Sequence, residues 1–204
     1  MFISLMNRLL LVVALTAVSW VPNLANARDD DSDKNPPGPL QIKLRDTCDP
    51  VSFNAAFGIG TCVGSFSTTL AQFFAELGQD QTVGAWRFHP LFARANKGTQ
   101  LIVTNFGGEL HTFTKVKEFG GGFVQPLNDA SGNPIPAPEC ADAVNGQLVA
   151  KSPSATNLFV PAGQSVPGPV VENGKTEKFM CCIHPWMRMT INPKGHAERA
   201  LANP

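Results

Sequence analysis

The chain of 204 residues carries 16 basic and 16 acidic side chains, 17 prolines, 18 glycines, five cysteines, four histidines and no tyrosine. So near-neutral a balance argues against nucleic acid as a partner, which asks for a basic face. The length allows one domain with a sizeable core, or a domain with an appendage.

Residues 1–27 have the form of a secretory leader: Arg8, an apolar run from Leu9 to about Val21, and then Ala25-Asn26-Ala27, the small-x-small pattern that a signal peptidase reads. That run falls short of the ~20 apolar residues a spanning helix needs. The sequence therefore predicts a signal peptide over 1–27 and a periplasmic or secreted protein with no stable membrane insertion after cleavage. In such an oxidising compartment disulfides persist.

Residues 28–40, with RDDDSDKNPPGP, offer nothing to bury and read as a disordered linker. An N-terminal extension follows over 41–80. In it CDPVSFNAAFGIGTC brings Cys48 and Cys62 together across a glycine-rich loop. STTLAQFFAELGQ then places Leu70, Phe73, Phe74 and Leu77 at helical spacing, with Thr69 and Gln72 as a capping box and Gly78 as the stop. The Phe stripe is read as packing against the next domain.

From residue 81 the period changes to two. AWRFHP, TQLIVTNF, HTFTKV, KFMCC and MTINP are short, β-branched or aromatic, and separated by Gly, Pro and Asn. They predict an all-β Greek-key sandwich over 81–192. EFGGGF lacks the Lys-Ser/Thr of a phosphate-binding loop and is read as a turn. A long insertion near 125–170 holds eight prolines and reads as a structureless connection; residues 193–204 form a tail.

An odd cysteine count in an oxidising compartment leaves at least one thiol for another use. Cys48 and Cys62 bracket a short loop and are expected to pair. Consecutive strand residues face opposite ways, so Cys181 and Cys182 do not serve one site. Cys182 is expected to face out and pair with Cys140, leaving Cys181 as a thiolate in the core.

Cys181, His184 and Met187 form C-x-x-H-x-x-M in CCIHPWMRM. Thiolate, imidazole and thioether on one loop, completed by a second imidazole, make the His₂Cys site with a weak axial Met of blue copper. His111, at the end of a patterned strand and a Gly-Gly turn, is the expected second imidazole. His89 reads as packed or solvent-facing and His196 as a tail residue.

VTNFGGELHTF together with CCIHPWMR resembles the cupredoxins, and the loop is most similar to the short-loop amicyanin and plastocyanin type. The resemblance implies His111 and His184 as imidazole ligands, Cys181 as thiolate and Met187 as axial ligand of one type 1 copper, cycling between Cu⁺ and Cu²⁺. Met189, five residues after His184, keeps the spacing of longer-loop relatives and stays open as the axial ligand. Asn105 falls where relatives carry asparagine, whereas Thr112 stands where many have Asn. The resemblance implies a monomeric single-electron carrier, not an enzyme, that meets redox protein partners through His184 at the surface beside Pro185 and Trp186. A copper carrier or store without redox cycling and a copper-free interaction module are the rivals. Four histidines cannot furnish a further catalytic copper beside such a site.

Overall fold

In a computed structural model the described residues are 38 to 172 and 174 to 194. The expected leader, most of the linker, His196 and nearly all of the tail lie outside them. The elements in order are β1 (Leu40–Arg45), α1 (Pro50–Phe57), α2 (Leu70–Asp80), β2 (Arg87–His89), β3 (Phe92–Ala95), β4 (Gln100–Asn105) and β5 (His111–Val116). They continue with α3 (Gln125–Ala130), β6 (Ala141–Val144), β7 (Gln147–Ala150), β8 (Asn157–Val160), β9 (Ser165–Val170), β10 (Glu177–Met180) and β11 (Arg188–Pro193).

Period-two patterning gives each principal strand one face to bury. In β4 Leu101 and Val103 are fully buried while Ile102 and Thr104 are partly exposed. A sheet in the order β2-β1-β4-β9 packs against one in the order β3-β11-β10-β5-β8. Ile42, Leu44, Phe88, Leu101 and Val103 from the first meet Phe113, Val160, Phe179, Met189 and Ile191 from the second in one core. At its centre Phe113 stacks on Phe179 with ring centroids 4.5 Å apart, and Phe88 reaches across to Phe113 at 5.5 Å. This is the Greek-key sandwich the sequence predicts.

Four local expectations change. The sandwich begins before residue 81, because β1 lies between β2 and β4 and runs parallel to β4. The glycine-rich Cys48–Cys62 segment contains a helix, α1, which Asp49 caps by accepting from the Ser52 amide and Pro50 opens. The capping box of α2 forms, but the helix runs past Gly78 to a left-handed cap at Gln81, φ 58°, whose amide bonds to the Leu77 carbonyl. Leu77, fully buried, anchors that last turn.

The fourth concerns the insertion near 125–170, which is not structureless. It holds α3, the β6–β7 hairpin and two strands of the sandwich, β8 and β9. Pro167 and Pro169 obscure β9, yet β9 is an edge strand, where a missing amide is tolerated. The segment leading into it covers the outer face of the second sheet: Cys140, Ala137, Phe119 and Phe123 pack on Val116, Met180 and Cys182. Cys182 therefore points away from the main core, as alternation requires, but into this second cluster and not into water; it is 1 % exposed. The run EFGGGF is part of that cover. A side chain at Gly122 would meet the Cys182 carbonyl, and the Phe123 amide donates to the same carbonyl at 2.9 Å.

Candidate metal centre

β5 and β10 are antiparallel neighbours, with Met180 opposite Thr114, so the start of β5 and the residues just after β10 reach the same end of the sandwich. His111 is the first residue of β5 and Cys181 the first after β10. The turn from β10 to β11 closes on itself, the Cys181 amide donating to the Met187 carbonyl at 3.0 Å and the Met187 amide to the His184 carbonyl at 2.9 Å. Arg188 clamps that turn from outside, donating to the Pro185 carbonyl at 2.6 Å and to Asn133 Oδ1 at 2.5 Å, with its guanidinium over the Phe119 ring.

His111, Cys181 and His184 converge. Each imidazole presents Nδ1 to Cys181 Sγ at 3.9 Å, and all three residues are buried. With zinc-like bonds of about 2.0 Å to nitrogen and about 2.3 Å to sulfur, opened to about 120°, N and S stand about 3.7 Å apart. The observed spacing is that of three donors sharing one ion, and the thiolate-imidazole chemistry suits a soft to borderline metal. Both pairings expected for the other cysteines are present, Cys48–Cys62 and Cys140–Cys182, and Cys181 is free. Met187 is buried within the turn. Met189 sits in β11 opposite Phe179, among the side chains of the sandwich core. His89 is exposed on β2, away from this group.

The Nε2 sides of both rings are turned onto carboxylates. His111 Nε2 is 2.8 Å from Asp46 Oδ2, and His184 Nε2 is 3.6 Å from Glu109 Oε2. Asp46, at the end of β1, also accepts from the amides of Cys48, Gly108 and Glu109 at 2.9 to 3.1 Å. Glu109 accepts from Trp86 Nε1 at 2.7 Å. Burial pushes the Asp46 carboxyl up, but His111 and the converging amides outweigh it and hold the group at about 2. Burial pushes the His111 imidazole down, while Asp46 and then the Cys181 thiolate lift it to about 10. The Cys181 thiol, raised by burial, is held well below its ordinary value by His111 and His184. The two shifts together favour a Cys181 thiolate paired with a protonated His111 in the metal-free group. Burial leaves Glu109 above the usual carboxylate range despite His184 and Trp86.

The Gly107-Gly108 turn is required by this packing. A side chain at Gly107 would strike the Asp46 carboxylate, and one at Gly108 the Val63 carbonyl and the Cys48–Cys62 disulfide. Asn105 fixes the turn, donating to the carbonyls of Glu109 at 2.7 Å and Val160 at 2.9 Å and accepting from the Gly107 amide at 2.8 Å. Thr112 takes two supporting roles: its amide faces Cys181 Sγ at 3.4 Å and its hydroxyl accepts from the Cys182 amide at 2.6 Å.

One expectation is overturned. His184 does not approach the surface; it is 3 % exposed. Phe73 of α2, Trp86 and Trp186 surround its ring at centroid distances of 6.3, 6.4 and 5.5 Å. Sequence reasoning also missed Asp46, Glu109 and Trp86. Glu109 had a signal, standing two residues before His111 and so on the same side of an extended chain. Asp46 and Trp86 had none, because only the tertiary fold brings β1 and the segment before β2 to this end.

No protein-family model and no curated protein matches the chain. Among solved structures it is similar to a novel purple cupredoxin from Nitrosopumilus maritimus at 15 % identity, covering 76 % of this chain and 98 % of that one with a TM-score of 0.36. It is similar to oxidized plastocyanin from Dryopteris crassirhizoma at 15 % identity, covering 76 % and 100 % with a TM-score of 0.32. An oxidized mutant of amicyanin is similar at 10 % identity, covering 55 % and 78 % with a TM-score of 0.32. By its own strand order the chain is a two-sheet β-sandwich with His111, Cys181 and His184 grouped at one end.

Proposed function

We propose that the protein holds one type 1 copper through His111, Cys181 and His184, with Met187 as axial ligand, and acts as a single-electron carrier outside the cytoplasm. The observation that carries this reading is the buried thiol faced by two Nδ1 atoms at equal distance, with both Nε2 atoms turned to carboxylates. When bound, copper supplies a one-electron Cu²⁺/Cu⁺ couple. The residues of the chain hold the donors in place, exclude water and keep the thiolate deprotonated. Two disulfides around a single free thiolate suit a periplasmic or secreted protein. Met187 is preferred to Met189 because its turn is bonded to Cys181 by the backbone, whereas Met189 belongs to a strand register.

Burial of the whole group favours a carrier of electrons over a carrier of copper, since handing copper on needs a ligand that another protein can reach. Of the three rings around His184, Trp186 is the partly exposed one, lining a hollow of about 240 Å³ with Leu91, Phe92 and Phe119. The route to a redox protein partner therefore runs through Trp186 and not through His184 directly. Voltammetry of the copper-loaded protein tests the reading: a reversible one-electron wave is expected, and ready loss of copper to a chelator without such a wave would identify a copper carrier or store.

A further inference from the structure

We infer that Asp46 is a positioning residue that sets the copper couple of this site, an inference that rests on the type 1 copper reading above. It fixes His111 with Nδ1 toward Cys181 and places a permanent negative charge behind the ring, favouring Cu²⁺ over Cu⁺.

The geometry leaves little freedom. Three backbone amides and His111 Nε2 converge on the two carboxylate oxygens: Oδ1 takes the amides of Cys48 and Gly108, and Oδ2 takes the Glu109 amide and faces His111 Nε2. The Asp46 side chain is fully buried, and three of its four partners are backbone amides that can only donate. Backbone donors on both oxygens favour the anion, which leaves His111 Nε2 to donate. A hydrogen bond from Nε2 fixes the tautomer that leaves Nδ1 bare, the requirement for a metal-binding imidazole. An anion bonded to a ligand ring interacts more strongly with the more highly charged oxidation state of the metal. His184 has no equivalent support: Glu109 is 3.6 Å from its Nε2, beyond good hydrogen-bond length, and is already bonded to Trp86.

Asp46→Asn tests the assignment. It preserves volume but sets an NH₂ group against two donors in either orientation, either Cys48 and Gly108 or Glu109 and His111. The affinities of full-length wild type and D46N for Cu²⁺ and Cu⁺ are measured by chelator competition, with the reduction potential by voltammetry. The expected result is a fall of at least tenfold in the Cu²⁺-to-Cu⁺ affinity ratio, equal to a rise of about 59 mV in potential. Loss of stability with an unchanged ratio and an unchanged visible spectrum would reduce Asp46 to a structural role and overturn the inference while leaving the copper reading intact. Wild type that binds no copper overturns both. Should D46N not fold, ¹⁵N NMR of the Cu⁺-loaded wild type decides: a His111 Nε2–H protected from exchange supports the assignment, and one exchanging freely with water overturns it.

Discussion

Phe73 lies edge-on to His184, ring centroids 6.3 Å apart at 75°, so a helix ahead of most of the sandwich strands covers the imidazole on the β10–β11 turn. Trp86 backs Phe73 at 4.8 Å and stacks on Phe53 of α1 at 5.9 Å, tying both helices to this cover. The Cys48–Cys62 disulfide spans the segment that carries α1.

Phe73→Ala opens the cover. Truncating so buried an aromatic ring is expected to cost about 3 kcal/mol, read from chemical denaturation. The copper-loaded variant should also respond to added azide by a change in visible spectrum that the wild type does not show. An azide-insensitive variant would mean that Trp86 and Trp186 suffice to seal His184.

Gly122→Ala tests the close approach of the glycine run to the Cys182 carbonyl. Relief requires a backbone shift, and a loss of about 2 kcal/mol is expected from the denaturation midpoint. Gly98→Ala serves as a comparison: Gly98 has a positive φ of 85° and no atom in the way, so its loss reflects backbone conformation alone.

Replacing both Cys140 and Cys182 with serine removes a cross-link between residues 42 apart in sequence. In the chain-entropy picture this costs about 4 kcal/mol. The blue band should survive, because Cys182 faces the second cluster and not His111. Loss of the band in a folded double variant would show that the disulfide holds the Cys181 geometry.

Acid stability of the metal-free protein should carry the signature of Asp46. Its folded value of about 2 lies below the ordinary 3.8, so its contribution is present above about 3.8 and is lost as pH falls toward 2. The amount is about 2 kcal/mol. His111, lifted from 6.5 to about 10, gives the opposite limb, fully present below 6.5 and lost as pH rises through about 10. The His111 limb shares the Asp46 pair and also includes Cys181, so the two limbs are not summed. Urea midpoints from pH 2 to 11 check the shape, and D46N should flatten the acid limb.

Much of the sandwich was legible because its strands alternate. Leu101 and Val103 in β4, and Phe73 and Leu77 on the stripe of α2, bury as their periods require. Phe74, on that stripe, is 46 % exposed, since α2 needs to cover the site on one side only. β9 was hidden because Pro167 and Pro169 signal a loop, and only its edge position makes them acceptable. Cys181 and His184 were joined by motif spacing, and His111 by its place at a strand end beside the Gly-Gly turn and by the resemblance. Of the carboxylates behind the rings, Asp46 was not legible, since it lies 65 residues from His111 in sequence and no local pattern joins them. The burial of His184 was equally unreadable, because it depends on where α2 docks.

The most direct test is the visible and electron paramagnetic resonance spectrum of the protein after addition of Cu²⁺, beside Cys181→Ser. An intense visible charge-transfer band with unusually small parallel hyperfine splitting, both absent from Cys181→Ser, is the result predicted for a thiolate-bound type 1 copper. A pale spectrum with ordinary splitting, or no binding at all, would contradict the central claim.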